Sequence, residues 1–221
     1  MNAVSSVVKN LLQLQCLVFL LLVALANGAA ADAAPLPQNC TTTCVSPYGA
    51  VLGSTAEGIK AYSNCQSSCV IFDPNQENGT YTGIKWQCVE FTRRWLISQH
   101  SLTFGDVDVA ADMWALKSLT KLSDQSSVPL KTFENGTKQP PKHGDLLIYG
   151  REYLGTGHAA IVLQVDRKRG MVRVAEQNFK NQKWPGQYAR TIQLIQKDGR
   201  YWVLDPYLLG WKRVGLSSVM L

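Results

Sequence analysis

Gly83-Ile84-Lys85-Trp86-Gln87-Cys88-Val89-Glu90-Phe91-Thr92-Arg93-Arg94-Trp95 is the stretch on which the fold and the chemistry of this chain turn. It predicts the start of an amphipathic helix. Cys88, Phe91 and Trp95 fall at i, i+3 and i+7, with Val89 and Leu96 on an adjoining stripe. Gly83 is a break before the helix, Glu90 lies in its first turn and His100 near its far end, the charge order that the macrodipole favours. Glu90 and Arg94 add an i,i+4 pair. A thiol at a helix N-terminus faces unpaired main-chain N–H groups, which stabilise thiolate over thiol. Cys88 is therefore a candidate nucleophile, the alternative being an inert buried cysteine.

The rest of the composition bears on that choice. The 221 residues are 46% hydrophobic and 17% charged, enough for one globular domain with a proper core. Residues 1–31 have the layout of a secretory signal peptide: Lys9 is the only charge before Asp32, Leu11 to Ala26 is almost wholly apolar, and small residues follow. The apolar run is shorter than the roughly 20 residues that span a bilayer, so no stable membrane anchor is expected after cleavage. Five cysteines follow that segment. Cys40, Cys44, Cys65 and Cys69 form a CxxxC…CxxxC array, read as two disulfides of a secreted or secretory or endo-lysosomal protein, with a zinc site as the alternative. Nested bridges would suit two antiparallel segments, but all three connectivities are open. Cys88 is then the odd thiol, a partner for another chain or a working group. Asn39, Asn78 and Asn135 each open an N-x-T sequon. A sequence pI near 9.0 suits an acidic surface such as a bacterial envelope. No basic run interleaved with aromatics points to nucleic acid.

After a lead-in over 32–46 that carries the first cysteine pair, the main domain is placed at 47–213, with a tail over 214–221. Short extended pieces are expected at Pro47–Gly53 and Gly58–Asn64, then a polar loop from Asp73 to Thr80. A second helix is expected from about Asp108 to Leu122, on the spacing of Val109, Met113, Leu116 and Leu119, with Ser123 to Lys142 as loop. Strands follow at Leu146–Tyr149, His158–Val165, Met171–Asn178, Thr191–Ile195 and Tyr201–Leu204. Helices first and an antiparallel meander afterwards give an α+β class, N-terminal helices packed on an antiparallel sheet.

A cysteine nucleophile needs a base, and the base an orienting partner. Three histidines are available. His100 is about three turns along the helix from Cys88, too far, and His143 sits in a turn before a strand. His158 opens a strand after Gly155-Thr156-Gly157, where small residues permit close approach. With a three-residue loop at Arg167–Arg169, His158 pairs with Asn178 and Ala160 with Glu176, so that His158, Glu176 and Asn178 share a face. Ala159, Ile161, Leu163 and Val165 then make an apolar face on the other side. Glu176 is either the carboxylate that holds the imidazole or a solvated edge-strand residue. Gln87 could join the main-chain N–H of Cys88 as an oxyanion donor, and Arg93 is a weak candidate for a substrate carboxylate.

These pieces resemble the CHAP family of cysteine, histidine-dependent amidohydrolases/peptidases and, within it, the amidase domain of glutathionylspermidine synthetase/amidase. The matching runs are Tyr48–Gly53, Gly83 through Trp86–Phe91 to Arg93-Arg94, Phe104–Val107, Gly144–Ile148, Thr156–Ile161, Val172–Asn178 and Leu209–Trp211, in order. The resemblance implies a papain-like fold with Cys88 as nucleophile, His158 as base and Glu176 as orienter, Gln87 and Asn178 in support, and no metal or organic cofactor. The function expected is a secreted amidohydrolase or endopeptidase of bacterial cell-wall (peptidoglycan) peptides. A glutathionylspermidine-type amidase is the alternative, and a non-catalytic wall-binding module the alternative of another class.

Overall fold

The computed structural model describes residues 35–215. The signal-peptide expectation for 1–31 lies outside them, as does most of the tail. The chain opens with a 3-10 turn at Gln38–Cys40 and a two-stranded ribbon of β1 (Val51–Ser54) and β2 (Lys60–Tyr62). A hairpin of β3 (Pro74–Glu77) and β4 (Thr80–Ile84) leads into α1 (Cys88–His100). Next come β5 (Leu102–Thr103), a 3-10 helix at Ala110–Ala115, β6 (Ser118–Lys121), β7 (Ser127–Glu134), β8 (Leu146–Tyr149), β9 (His158–Asp166), β10 (Met171–Ala175), β11 (Arg190–Lys197), β12 (Arg200–Val203) and β13 (Leu208–Val214). Nine strands form one antiparallel sheet in the order β12-β11-β10-β9-β8-β13-β7-β6-β5.

The α+β class stands, but the expected N-terminal helices do not. Among the described residues α1 is the one α-helix, it lies mid-chain, and the sheet dominates. The segment read as a second helix, 108–122, enters extended at Val109, makes two turns of 3-10 helix and leaves as β6. Its apolar spacing fitted a helix. The Ser118-Leu119-Thr120-Lys121 end instead pairs with β7 and turns only Leu119 fully inward, because ladder partners outweigh local propensity. The supposed loop 123–142 contains β7, between β13 and β6. The polar loop at 73–80 is a hairpin whose Asn78-Gly79 tip has positive φ at both residues (49° and 76°), the backbone that a tight two-residue turn demands.

Both sheet faces are covered. Phe91, Trp95 and Leu96 of α1 pack with Leu146, Ile148, Ala159 and Ile161, while Leu147, Tyr149, Ala160, Val162, Val172, Val174 and Trp211 build a second core. All four residues of β8 are consequently buried. The hairpin β9–β10 differs from expectation twice. Asp166 pairs with Met171, so the turn holds four residues rather than three. Arg173 then pairs with Gln164 and Val174 with Val162, leaving Leu163 as an extra residue in β9. Leu163 packs on the first core and Val165 on the second, so the expected continuous apolar face breaks there. Beyond the irregularity Ala175 pairs with Ile161, the register from which Glu176 was placed opposite Ala160.

The cysteine array closes as Cys40–Cys69 and Cys44–Cys65, the nested connectivity, in place of a zinc site. Two disulfides fit the exterior of the cell or the lumen of the secretory or endo-lysosomal route. Of the sequon residues, Asn78 stands exposed at its hairpin tip and Asn39 donates to the Ser68 carbonyl. The Asn135 amide both donates to and accepts from the main chain of Val203. No helix among the described residues is long and apolar enough to cross a membrane.

Candidate active site

Cys88 and His158 line one cleft of about 550 Å3, and Glu176 is buried behind the imidazole. α1 contributes Cys88 from its first position, β9 contributes His158 from its first position, and Glu176 follows the end of β10. Gly157 explains how His158 gets there. Its φ is +74°, and a Cβ in its place would strike the Tyr149 carbonyl and approach Ala111 within 3 Å, so the turn into β9 is pressed against its neighbours. Of the small residues before His158, Gly157 is the one whose size permits the close approach, while Gly155 faces open space.

His158 Nε2 lies 2.9 Å from Glu176 Oε2. The imidazole and the Cys88 thiol share a hydrogen bond; with Nε2 on the carboxylate, Nδ1 is the ring nitrogen left for sulfur. Cys88 is 8% exposed, and His158 and Glu176 are buried. Burial alone would push the Cys88 thiol up. The hydrogen bond and positive charge of His158, joined by main-chain N–H donors of Ala159 and Val89, outweigh it and hold the thiol below its ordinary value. Burial would likewise push His158 down, yet bonds to Cys88 and then Glu176 raise it from 6.5 to about 9. Burial opposes ionisation of Glu176 as well, but His158 and then Arg190 keep its carboxyl below the usual range. The favoured resting state is a thiolate beside an imidazolium beside a carboxylate.

Arg190 was missed by the sequence reading. Its Nε and Nη2 donate to the two Glu176 oxygens at 2.6 and 3.2 Å, and Nη1 meets Asp205 at 2.7 Å. Nη2 also donates to the Tyr149 hydroxyl, which donates to Asp205 at 2.6 Å. Glu176 is thus clamped from behind by a bidentate guanidinium that has its own counter-ion. The available signal was weak: Arg190 precedes a predicted strand, and only the pairing of Val174 with Arg190 brings it near Glu176. Tyr149, Tyr153 and Phe179 surround the imidazole with ring centroids 5.3–5.8 Å away, an apolar collar that strengthens the charges inside it.

Gln87 and Asn178 also reach the cleft. Asn178 donates its Nδ2 to Gln87 Oε1 at 2.8 Å, while Gln87 Nε2 donates to the Cys69 carbonyl at 3.3 Å. Asn178 lies beyond β10 with a φ of +55° and faces Gln87 rather than His158. Arg93 is 3% exposed. It donates Nη1 to the Thr82 carbonyl and Nη2 to that of Gly105, stacks over Phe104 at 4.4 Å and lies 3.6 Å from Asp106, leaving Nε without a partner. The Glu90–Arg94 pair is no surface pair. It is buried at 2.7 Å, and Asn75, Thr82 and Gln177 also donate to Glu90. This network braces the first turn of α1, hence Cys88. His100 and His143 pack near Trp95, away from the cleft.

Comparison with known proteins agrees with this geometry. The CHAP domain model matches residues 68–178. The bifunctional glutathionylspermidine synthetase/amidase of Escherichia coli (strain K12) is 34% identical over 189 residues, covering 77% of this chain and 30% of that protein. Trypanothione synthetase of Crithidia fasciculata is 32% identical over 160 residues, covering 72% and 24%, and glutathionylspermidine synthase of the same organism 29% over 192 residues, covering 76% and 26%. The chain spans less than a third of the length of these relatives. With a cysteine and a histidine in one cleft and a carboxylate on the far side of the imidazole, the chain belongs to the CHAP family, the papain-like cysteine amidases and peptidases that hydrolyse C–N bonds.

Proposed function

We propose that Cys88, His158 and Glu176 are the nucleophile, the acid–base and the orienting carboxylate of a thiol amidase. The observation that carries this is the relay from Cys88 through His158 to Glu176, which favours a thiolate and an imidazolium at rest. The Cys88 thiolate attacks the amide carbonyl. The main-chain N–H of Cys88, in a first helical turn that offers no intrahelical acceptor, and the Gln87 amide donate to the oxyanion. His158 passes its proton to the leaving nitrogen as the C–N bond breaks, then deprotonates the water that cleaves the thioester. Glu176 holds the ring and balances its charge in both steps, and Arg190 holds Glu176. Arg93 lies at the cleft but donates Nη1 and Nη2 to the Thr82 and Gly105 carbonyls and keeps its unpaired Nε buried, so its part is to brace the wall rather than to meet a substrate carboxylate.

For substrate, the relatives named for glutathionylspermidine synthetase/amidase support an amide of the glutathionylspermidine type. The disulfides and the basic pI favour a second reading, a cell-wall peptide met outside the cytoplasm. The test incubates purified protein with glutathionylspermidine and, separately, with peptidoglycan, following spermidine release and loss of turbidity, with Cys88→Ala as control. Spermidine release alone supports the first reading, and turbidity loss alone the second. Binding of either without turnover, with a Cys88 that alkylates only near pH 8.5, would overturn the amidase itself and leave a wall-binding module.

A further inference from the structure

Residues 63–73, between β2 and β3, contain neither helix nor strand, yet Ser67, Val70 and Phe72 form one wall of the catalytic cleft. Phe72 is 85% exposed there, so packing does not hold it. The cystine pair holds the segment covalently, alongside hydrogen bonds such as those from Asn39 Nδ2 to the Ser68 carbonyl and from the Lys85 N–H to the Asp73 carbonyl. Cys40, Cys65 and Cys69 are buried in a small core of their own with Cys44, Tyr48 and Ile71, separate from the two cores of the sheet. The same segment reaches the nucleophile by hydrogen bonds. The Cys69 carbonyl accepts from Gln87 Nε2, next to Cys88, and from Asn64 Nδ2, while Asn64 Oδ1 accepts from the main-chain N–H of Trp86. The triad itself hangs on α1, β9 and the end of β10, and none of its bonds passes through the cystine segment.

We infer that the Cys40–Cys69 and Cys44–Cys65 disulfides are positioning elements of the cleft: they fix Ser67–Phe72 as a wall and fasten the Gln87 side chain to Cys69, so that substrate affinity follows their redox state. A dithiol reductant supplies the two electrons each bond requires. Its thiolate attacks one sulfur, the other leaves as a thiolate and takes a proton, and the second reagent thiol closes on the first, giving two cysteine thiols and a cyclic disulfide. The wall then loses its only covalent ties to residues 40 and 44, whereas Cys88 keeps its bond to His158. The inference rests on the amidase reading for one of its two readouts only.

The experiment compares the oxidised protein, the protein reduced with dithiothreitol, the reoxidised protein, and the Cys40→Ser/Cys69→Ser and Cys44→Ser/Cys65→Ser variants. One readout is kcat and KM on glutathionylspermidine. The other needs no substrate: the rate at which Cys88, identified by peptide mapping, reacts with iodoacetamide and with its bulky fluorescein-linked analogue. The expected result is a KM at least tenfold higher after reduction, a kcat lowered as the Gln87 oxyanion donor loosens, iodoacetamide labelling unchanged, and a bulky-to-small rate ratio that rises several-fold and reverts on reoxidation. An unchanged ratio with unchanged KM would overturn the inference. So would labelling by both reagents that falls in step with loss of fold, because the disulfides would then act on global stability. A ratio that rises while no form cleaves glutathionylspermidine keeps the wall and refutes the substrate alone.

Discussion

Replacing Glu176 by glutamine tests the relay at its middle. The amide is close to the carboxylate in shape and keeps an oxygen to accept from His158 Nε2, but it carries no charge. In the wild type His158 is raised from 6.5 to about 9 despite full burial, roughly 3 kcal/mol in favour of the imidazolium. Cys88 and Glu176 share that gain, and Arg190 stands behind Glu176 as a cation that the substitution leaves beside a neutral amide. Both changes act on His158 in the same direction. A fall of at least one pH unit is expected, about 1.4 kcal/mol, and the alkaline limb of kcat/KM should move down with it. The chain has only three histidines, so the ring C–H resonance of His158 can be followed directly by NMR from pH 5 to 11. The sign for stability follows from linkage. A histidine raised in the fold contributes stability that is fully present below 6.5 and is lost as pH rises through about 9. The variant should lose less stability than the wild type across that window. A His158 midpoint that stays within about 0.3 of the wild-type value, or moves upward, would refute the assignment of Glu176 as the charge that sustains the imidazolium.

Two further outcomes follow from the packing. Gly157→Ala sets a methyl against the Tyr149 carbonyl and Ala111 at a φ of +74°, and should cost about 2–4 kcal/mol in urea unfolding while depressing kcat, since His158 is the next residue; a loss below about 1 kcal/mol would contradict the close approach. Lys212 is 0% exposed, donates to the Trp114 carbonyl and Thr132 Oγ1, and is lowered from 10.5 to about 8 by burial and then by Lys117. Its buried charge costs the fold below pH 8, and that cost fades as pH climbs to 10.5. The stability of Lys212→Met relative to wild type should therefore drop by up to roughly 3 kcal/mol between pH 7.5 and 10.5. A flat difference in urea midpoints would refute it.

The end that carries the Cys88–His158 pair was legible because its signals are local. The 3.6-residue spacing of Cys88, Phe91 and Trp95, the Glu90-to-Arg94 order and the alternation around His158 all lie within a few residues of the groups they position. The middle of the chain was not. Val109, Met113, Leu116 and Leu119 fit a helix in spacing, and what overrides it is pairing of β6 with β7 on one side and β5 on the other, which no window of sequence contains. β7 hides for a similar reason: Pro129 and several outward polar residues look like loop, and only neighbours on both sides make a strand of them. Arg190 is a long-range partner whose role exists only once β10 and β11 are adjacent. Gln87 lines the cleft beside Cys88, but its tie to Cys69 depended on the disulfide pairing, which spacing alone left open.

The placement of Glu176 came from a three-residue turn and an unbroken ladder, and the molecule has neither. The four-residue turn shifts the pairing by one, and the extra Leu163 shifts it back. In a ladder of period two, one such change reverses which face every later residue occupies, and two restore it. The hairpin is consequently divided into a distal part, where side-chain parity is inverted, and a proximal part, where it is not. Turn length and the Leu163 insertion are nonetheless separate devices. Taking a residue out of the turn shortens the connection and leaves Asp166 opposite Met171 and Ala175 opposite Ile161, so the Glu176 carboxylate keeps its frame, and deleting Leu163 closes the irregularity without changing those pairs either.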